Sequence, residues 1–334
     1  LVPMGLVRVK MLPFDNKSEV QMVVNMPDGT PLEQTLRATQ ALGDALAHQP
    51  EVLNYQLYAG TSGPYNFNGL VRHYYMRHMP NQADIQVNLV PNKDRHEQSH
   101  AIAKRLRPLL TAIGNQYGAR IQVSEVPPGP PVIQTLVAEV YGPDLDGQTQ
   151  VAQQIKEIFQ HSAGVVDIDW YVEDPQPHDA IRVDAVKAAQ NGIAVGDVAR
   201  ALALATSGTE AGLLHDKDSR EPIPTMVEFK RADRSGEQAL ENIHLPAPNG
   251  AMVPLSELVT IEHGTIEQSI YHKNLKRVVY VTGDVAGQEE SPVYAILNMN
   301  KQLDRLKLPA GYTLARYNAS MPESTDHYSM KWDG

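Results

Sequence analysis

The feature that most constrains this chain is an order of elements that it spells twice. Residues 19–26, Glu-Val-Gln-Met-Val-Val-Asn-Met, form a strand-like run. Pro27-Asp28-Gly29-Thr30-Pro31 follows, where Thr30 can cap a helix that Pro31 begins, because the first helical turn has no use for the donor that proline lacks. Leu32, Thr35, Leu42, Ala45 and Leu46 recur at helical spacing as far as His48. Pro50 ends that helix, and residues 52–58 alternate as a strand. After an irregular stretch, residues 84–90 alternate again. A long helix is predicted from about 95 to 117, and residues 120–126 close the set. Strand-helix-strand-strand-helix-strand is the split, ferredoxin-like arrangement.

Pro127-Pro128-Gly129-Pro130-Pro131 comes next, a stiff connector whose five residues offer one backbone N–H between them. The pattern then restarts. Residues 137–141 read as a strand, Gly142-Pro143-Asp144 as a turn, and 147–161 as a helix with Val151, Ile155, Ile158 and Phe159 on one face; 165–172 is the next strand. The second half resumes at 277–281, continues with a helix from 292 to about 306, and ends with a strand at 312–317. The predicted class is α+β: two βαββαβ units, with a small α+β unit inserted in the second. The boundaries fall at 14–126 for the first unit, at 132–174 and 272–319 for the second, and at 175–271 for the insertion. Within the insertion, a helix over 184–190 stops at Asn191-Gly192 and a second opens at Val195. Residues 225–230 read as a strand. Asn249-Gly250 is a strong hairpin signal, so Pro248, Asn249, Gly250, Ala251 and Met252 are expected to project as a hairpin.

The two ends differ from the rest. Residues 1–7 are all apolar, Gly or Pro, and Arg8 and Lys10 follow. That suits either the last turns of a membrane helix meeting an interface or a buried edge strand. Residues 328–334 show no helix cap, sheet closure or charged tail, and read as cut rather than finished.

Composition excludes several chemistries. A net charge of −10 is the wrong sign for a nucleic-acid groove. With 0 cysteines there is no disulfide framework, thiolate zinc site or cysteine nucleophile. No apolar run reaches the ~20 residues that span a bilayer. No G-x-S-x-G elbow or P-loop is present, and no cofactor is expected.

Two clusters of metal-ligating residues remain. His73, Met76, His78 and Met79 crowd one segment, but Arg72 and Arg77 beside them would repel a cation. His96-Glu97-Gln98-Ser99-His100 is H-E-x-x-H in letters. A metallopeptidase would need a third ligand and an apolar helix face, whereas Asn92, Lys93, Asp94 and Arg95 make this a solvated first turn. More informative is the segment from 58 to 75, where Tyr58, Tyr65, Phe67, Tyr74 and Tyr75 alternate with Gly60, Gly63 and Gly69. A glycine-rich aromatic loop suits a cleft for varied apolar molecules, or a hydrophobic contact with another subunit.

Four further segments carry a resemblance: residues 11–19 (MLPFDNKSE), 25–30 (NMPDGT), 192–198 (GIAVGDV) and 250–258 (GAMVPLSEL). In this order and spacing the chain resembles the second large periplasmic loop of resistance-nodulation-division (RND) efflux transporters of the acriflavin-resistance type. The resemblance implies a homotrimeric, proton-driven antiporter of the bacterial inner membrane, not an enzyme. It implies two porter subdomains and a docking subdomain facing the periplasm, a periplasmic adaptor (membrane fusion) protein and an outer-membrane channel as partners, and small amphipathic substrates. Gly60, Gly63, Tyr65, Phe67, Tyr74 and Tyr75 would then line the substrate cleft as a switch loop, and residues 248–252 would face the channel or adaptor. A heavy-metal branch exporting copper or silver is the alternative that the resemblance also implies, with Met22, Met26 and Met79 as its weak candidate ligands.

Overall fold

The computed structural model describes residues 16–125, 133–230, 233, 236–286, 291–308, 312–318 and 320–333. The apolar amino-terminal stretch and the proline linker at 127–131 lie outside the described residues.

β1 (Glu19–Asn25), α1 (Leu32–Ala47), β2 (Val52–Ala59), α2 (Phe67–Val71), β3 (Gln82–Leu89), α3 (Ser99–Gln116) and β4 (Arg120–Ser124) build the first unit. Its sheet runs in the order β2-β3-β1-β4 with every pair antiparallel. Side chains alternate across a strand, so Val20, Met22 and Val24 share a face with Ile85, Val87, Ile121 and Val123. α1 and α3 close over that face through Leu42, Leu46, Ile102, Leu106 and Leu110. Gly114 lets α3 lie close on the sheet, since a Cβ there would stand 2.4 Å from Ile121 Cγ1. The opposite face is polar: Gln21, Asn25, Asp84, Gln86, Gln122 and Ser124.

α3 begins at Ser99 rather than near residue 95. Arg95 instead spends its guanidinium on the carbonyls of Val90 and Glu97, holding residues 95–98 in a turn ahead of the helix.

The second unit opens with β5 (Leu136–Tyr141), α4 (Leu145–Gln160) and β6 (Val165–Trp170). Asp144 caps α4 by accepting the Gly147 N–H at 2.6 Å. The chain then leaves for a separate compact unit, Gln176–Ile266. This insertion contains β7 (Pro177–Val183), α5 (Ala185–Gln190), α6 (Val195–Ser207), β8 (Thr209–Leu214), β9 (Ile223–Val227), β10 (His244–Pro246), β11 (Met252–Pro254), α7 (Leu255–Leu258) and β12 (Val259–Thr265). Its core is its own, with Ala188, Val198, Leu240, Val253, Leu255 and Leu258 buried. The hairpin at Asn249-Gly250 forms, but Ala247 and Val253 flanking it are buried and only Met252 is exposed among its large side chains. The longer exposed ribbon is β8–β9, of which only part was legible. No face of it is buried, and without a buried face there is no apolar alternation to read.

After the insertion come β13 (His272–Lys273), β14 (Lys276–Arg277), β15 (Val279–Val285), α8 (Pro292–Leu303), β16 (Ala315–Tyr317) and β17 (Ser329–Asp333). The second sheet has the order β16-β17-β5-β15-β6. Here two expectations fail. The strand predicted at 312–317 shrinks to β16 and stands at the outer edge, parallel to β17. The place beside β5 belongs to β17, in the segment that read as an unfinished end. The cause is packing. Met330 and Trp332 alternate into the second core, and Trp332 stacks on Phe159 with centroids 5.8 Å apart. Its indole N–H also reaches Asn300 Oδ1 at 3.1 Å. Just upstream, Tyr328 is buried and its hydroxyl donates to Asp144 at 2.7 Å.

Candidate functional site

The loop between β2 and β3 lies on the polar face of the first sheet. Gly60 turns the chain there at φ +68°, a conformation that a side chain resists. Asp84 accepts the Gly63 N–H at 3.0 Å and Arg77 Nε at 2.9 Å. Arg77 spreads its remaining donors over Asn25 Oδ1 and the carbonyls of Val24 and Ala83. One guanidinium therefore staples the returning end of the loop to four strand residues. Burial pushes Asp84 above the usual carboxylate range, although Arg77 and the Gly63 N–H oppose it.

The same loop is fastened to the second unit. Arg72 is buried and pairs with Asp284 of β15 at 3.1 Å. Asp284 also accepts the Thr135 N–H at 3.1 Å and its hydroxyl at 2.7 Å. Burial alone would raise the Asp284 pKa, but Arg72 and the two Thr135 bonds hold it below the ordinary value. The loop thus hangs between two anchors, Arg77 on one unit and Arg72 on the other.

A polar seam continues alongside, where β4 of the first sheet faces β6 of the second. Asp167 has φ 52°, and the pairing of β6 with β15 slips by a bulge at this point. Its carboxylate accepts the Val123 N–H at 3.1 Å and meets Arg107 at 3.2 Å. Burial pushes its pKa up to about 7 despite both partners. Asp169 accepts from Asn25 at 3.2 Å and from Gln122 at 3.5 Å, and Arg120 lies 3.4 Å away. Asp28 takes the Asp174 N–H at 2.7 Å.

The residues expected from sequence divide in this setting. Tyr65 and Phe67 are 77% and 62% exposed, and Tyr65 lies 6.2 Å from Tyr75 between ring centroids. Tyr74 is buried beside Arg72 and offers little surface to a ligand. Gly60 and Gly63 shape the loop, and Gly69 donates its N–H to Asn66 at the start of α2. Among the candidate methionines, Met22 and Met26 are sealed in the first core at 0% and 3% exposure, while Met79 is exposed. The metallopeptidase reading fails on geometry. His96 precedes α3 while His100 lies within it, and His100 pairs with Glu125 at 2.7 Å. The sequence reading missed Asp84, Asp167 and Asp284. Arg72 and Arg77 were visible, and two arginines in an apolar loop are a signal that carboxylates await them.

Among the described residues, no helix is long and apolar enough to cross a membrane. The model of the AcrB/AcrD/AcrF family matches residues 4–328. The cobalt-zinc-cadmium resistance protein CzcA of Cupriavidus metallidurans is 26% identical over 250 residues, 70% of this chain and 23% of that protein. The nickel and cobalt resistance protein CnrA of the same organism is 26% identical over 221 residues, 63% of this chain and 20% of that protein. The chain thus spans under a quarter of these relatives. The crystal structure of a heavy metal efflux pump superposes with a TM-score of 0.71 at 21% identity, covering 99% of this chain and 32% of the pump. That likeness shows the fold.

Proposed function

We propose a function from one premise: the chain belongs to the AcrB/AcrD/AcrF family, which comprises RND efflux transporters. The chain is the periplasmic porter and docking portion of a proton-driven exporter of divalent metal cations. The whole works in the inner membrane as a homotrimer, with a periplasmic adaptor and an outer-membrane channel as partners. The observation that carries the metal reading is the sequence similarity to CzcA and CnrA, both named for metal resistance. Asp84, Asp167, Asp169 and Asp284 do not add to it, because each already faces an arginine of the loop or seam. The copper or silver variant is less well supported, because the thioethers of Met22 and Met26 fill a core.

A second reading keeps small amphipathic molecules as substrates. Tyr65, Phe67, Leu70 and Met76 favour it, since the loop leaves all four exposed. One experiment separates the two. The complete transporter is expressed in a host stripped of its own efflux pumps, and growth is scored in graded Zn2+, Co2+, Cd2+ and Ni2+ and in a cationic dye. Several-fold greater tolerance to the metals with none to the dye supports the first reading; the reverse pattern overturns it in favour of the second.

A further inference from the structure

We propose that Asp179, Glu237 and His263 form a binding site for a divalent transition-metal ion on the inserted unit. The inference stands apart from the export reading, because it rests on three side chains outside the porter units. β7 and β12 form a two-stranded ribbon in which Val183 faces Val259, Ile181 faces Ile261, and Asp179 faces His263. These pairs alternate onto one face, and the first two pack on the core of the insertion. At the third pair that face changes from aliphatic to ligating.

Glu237 arrives from another segment. It opens a 3-10 turn over Glu237–Asn242 after Gly236, whose φ of +80° aims the turn, and the buried Ala239 and Leu240 hold it in place. The three ligand atoms lie within 4.8 Å of one another. His263 Nδ1 stands 2.8 Å from Asp179 Oδ1 and 3.6 Å from Glu237 Oε1. A tetrahedral ion with bonds of about 2.1 Å separates its ligand atoms by about 3.4 Å, so small rotamer adjustments seat it. A cavity of about 260 Å³, lined by Asp179, Glu237, Ile181, Ile261 and Leu240, opens beside the group.

The donor set selects the ion class. One imidazole and two carboxylates suit zinc, cobalt or nickel rather than a soft monovalent ion, and three protein ligands leave a coordination position open. The Arg182–Glu262 ion pair on the ribbon belongs to the opposite face by alternation and does not neutralise the two carboxylates.

The test uses the whole chain. Zn2+ is titrated calorimetrically into the wild type, H263A and E237Q, and Co2+ is titrated into protein with 15N-labelled imidazoles while the ring resonances are followed. The expected result is one fewer bound equivalent, or an affinity at least ten-fold weaker, in both variants, with His263 among the first resonances broadened. All three residues are exposed, so the variants should keep the wild-type circular dichroism; D179N serves in place of any that does not. Equal stoichiometry and affinity in all proteins, or an unbroadened His263 at saturating Co2+, overturns the proposal. Because binding is read on the chain itself, a transporter that confers no metal tolerance would overturn the export reading and leave this site standing.

Discussion

The carboxylate of Asp167 accepts the backbone N–H of Val123 at 3.1 Å, and through this bond an edge strand of one sheet meets an edge strand of the other. Two edges this close could join into a continuous ladder, because each carries unpaired backbone groups. Asp167 prevents that. Its left-handed backbone and the bulge around it break the regular run of β6, and its side chain occupies a donor that a ladder would use. The two units touch without fusing.

This carboxylate should write itself into the pH dependence of stability. Its folded pKa, about 7, lies above the ordinary value, so the folded state holds the proton more tightly than the unfolded chain does. Stability is therefore lowest above that pKa and rises as pH falls toward the unfolded value. Between pH 8 and 5 the gain should be on the order of 2 kcal/mol. Urea denaturation across this range would show it. D167N should flatten the profile, and an unchanged slope in that variant would sink the assignment.

Arg72 and Asp284 predict the cost of a broken anchor. R72M removes the charge and leaves Asp284 buried beside Thr135 with no cation, which should cost about 3–5 kcal/mol. The double variant R72M/D284N should recover a good part of that loss. Denaturant midpoints of the single and double variants measure the coupling directly; simple additivity would refute it.

Trp332 and Tyr317 distinguish the two strands that compete to close the second sheet. Trp332 is nearly buried against Phe159, whereas Tyr317 on β16 is half-buried at the edge. W332A should cost about 3–5 kcal/mol and W332F much less. Y317A should cost under about 1.5 kcal/mol, below the usual figure for a core aromatic. Thermal melts of the three variants provide the comparison.

Tyr65 and Phe67 should behave as ligand-facing rather than structural groups. Both are exposed, so Y65A and F67A should change stability by less than about 0.5 kcal/mol. In the complete transporter, each should lower tolerance to an amphipathic dye if such molecules are carried, and leave metal tolerance near wild type. A large loss of stability in either variant would make the loop a packing element instead.

How far the sequence could be read depended on whether a feature had a local period. The alternation in β1 and β3 and the helical stripe of α1 were visible because one buried face imposes a repeat of fixed spacing. β17 was not, since it is five residues long and only Met330 and Trp332 in it are apolar, too few to establish a period. Lys331 between them is buried and faces Glu139 of β5 at 3.6 Å, a neutralisation that only the folded chain supplies. H-E-x-x-H misled in the opposite way, its letters intact but its first three residues held in a turn by Arg95.

The βαββαβ order of the first unit, the opening β5-α4-β6 of the second and the aromatic composition of the loop were legible along the chain, because each is a local pattern of side chains along the backbone. Only the tertiary structure decided which strand closes the second sheet, that Arg72 meets Asp284 across 212 positions, and that Asp167 mediates where β4 and β6 meet. Those choices depend on which segments collide when two separate cores assemble. A buried charge finds its partner by proximity in space, and no spacing along the chain encodes that distance.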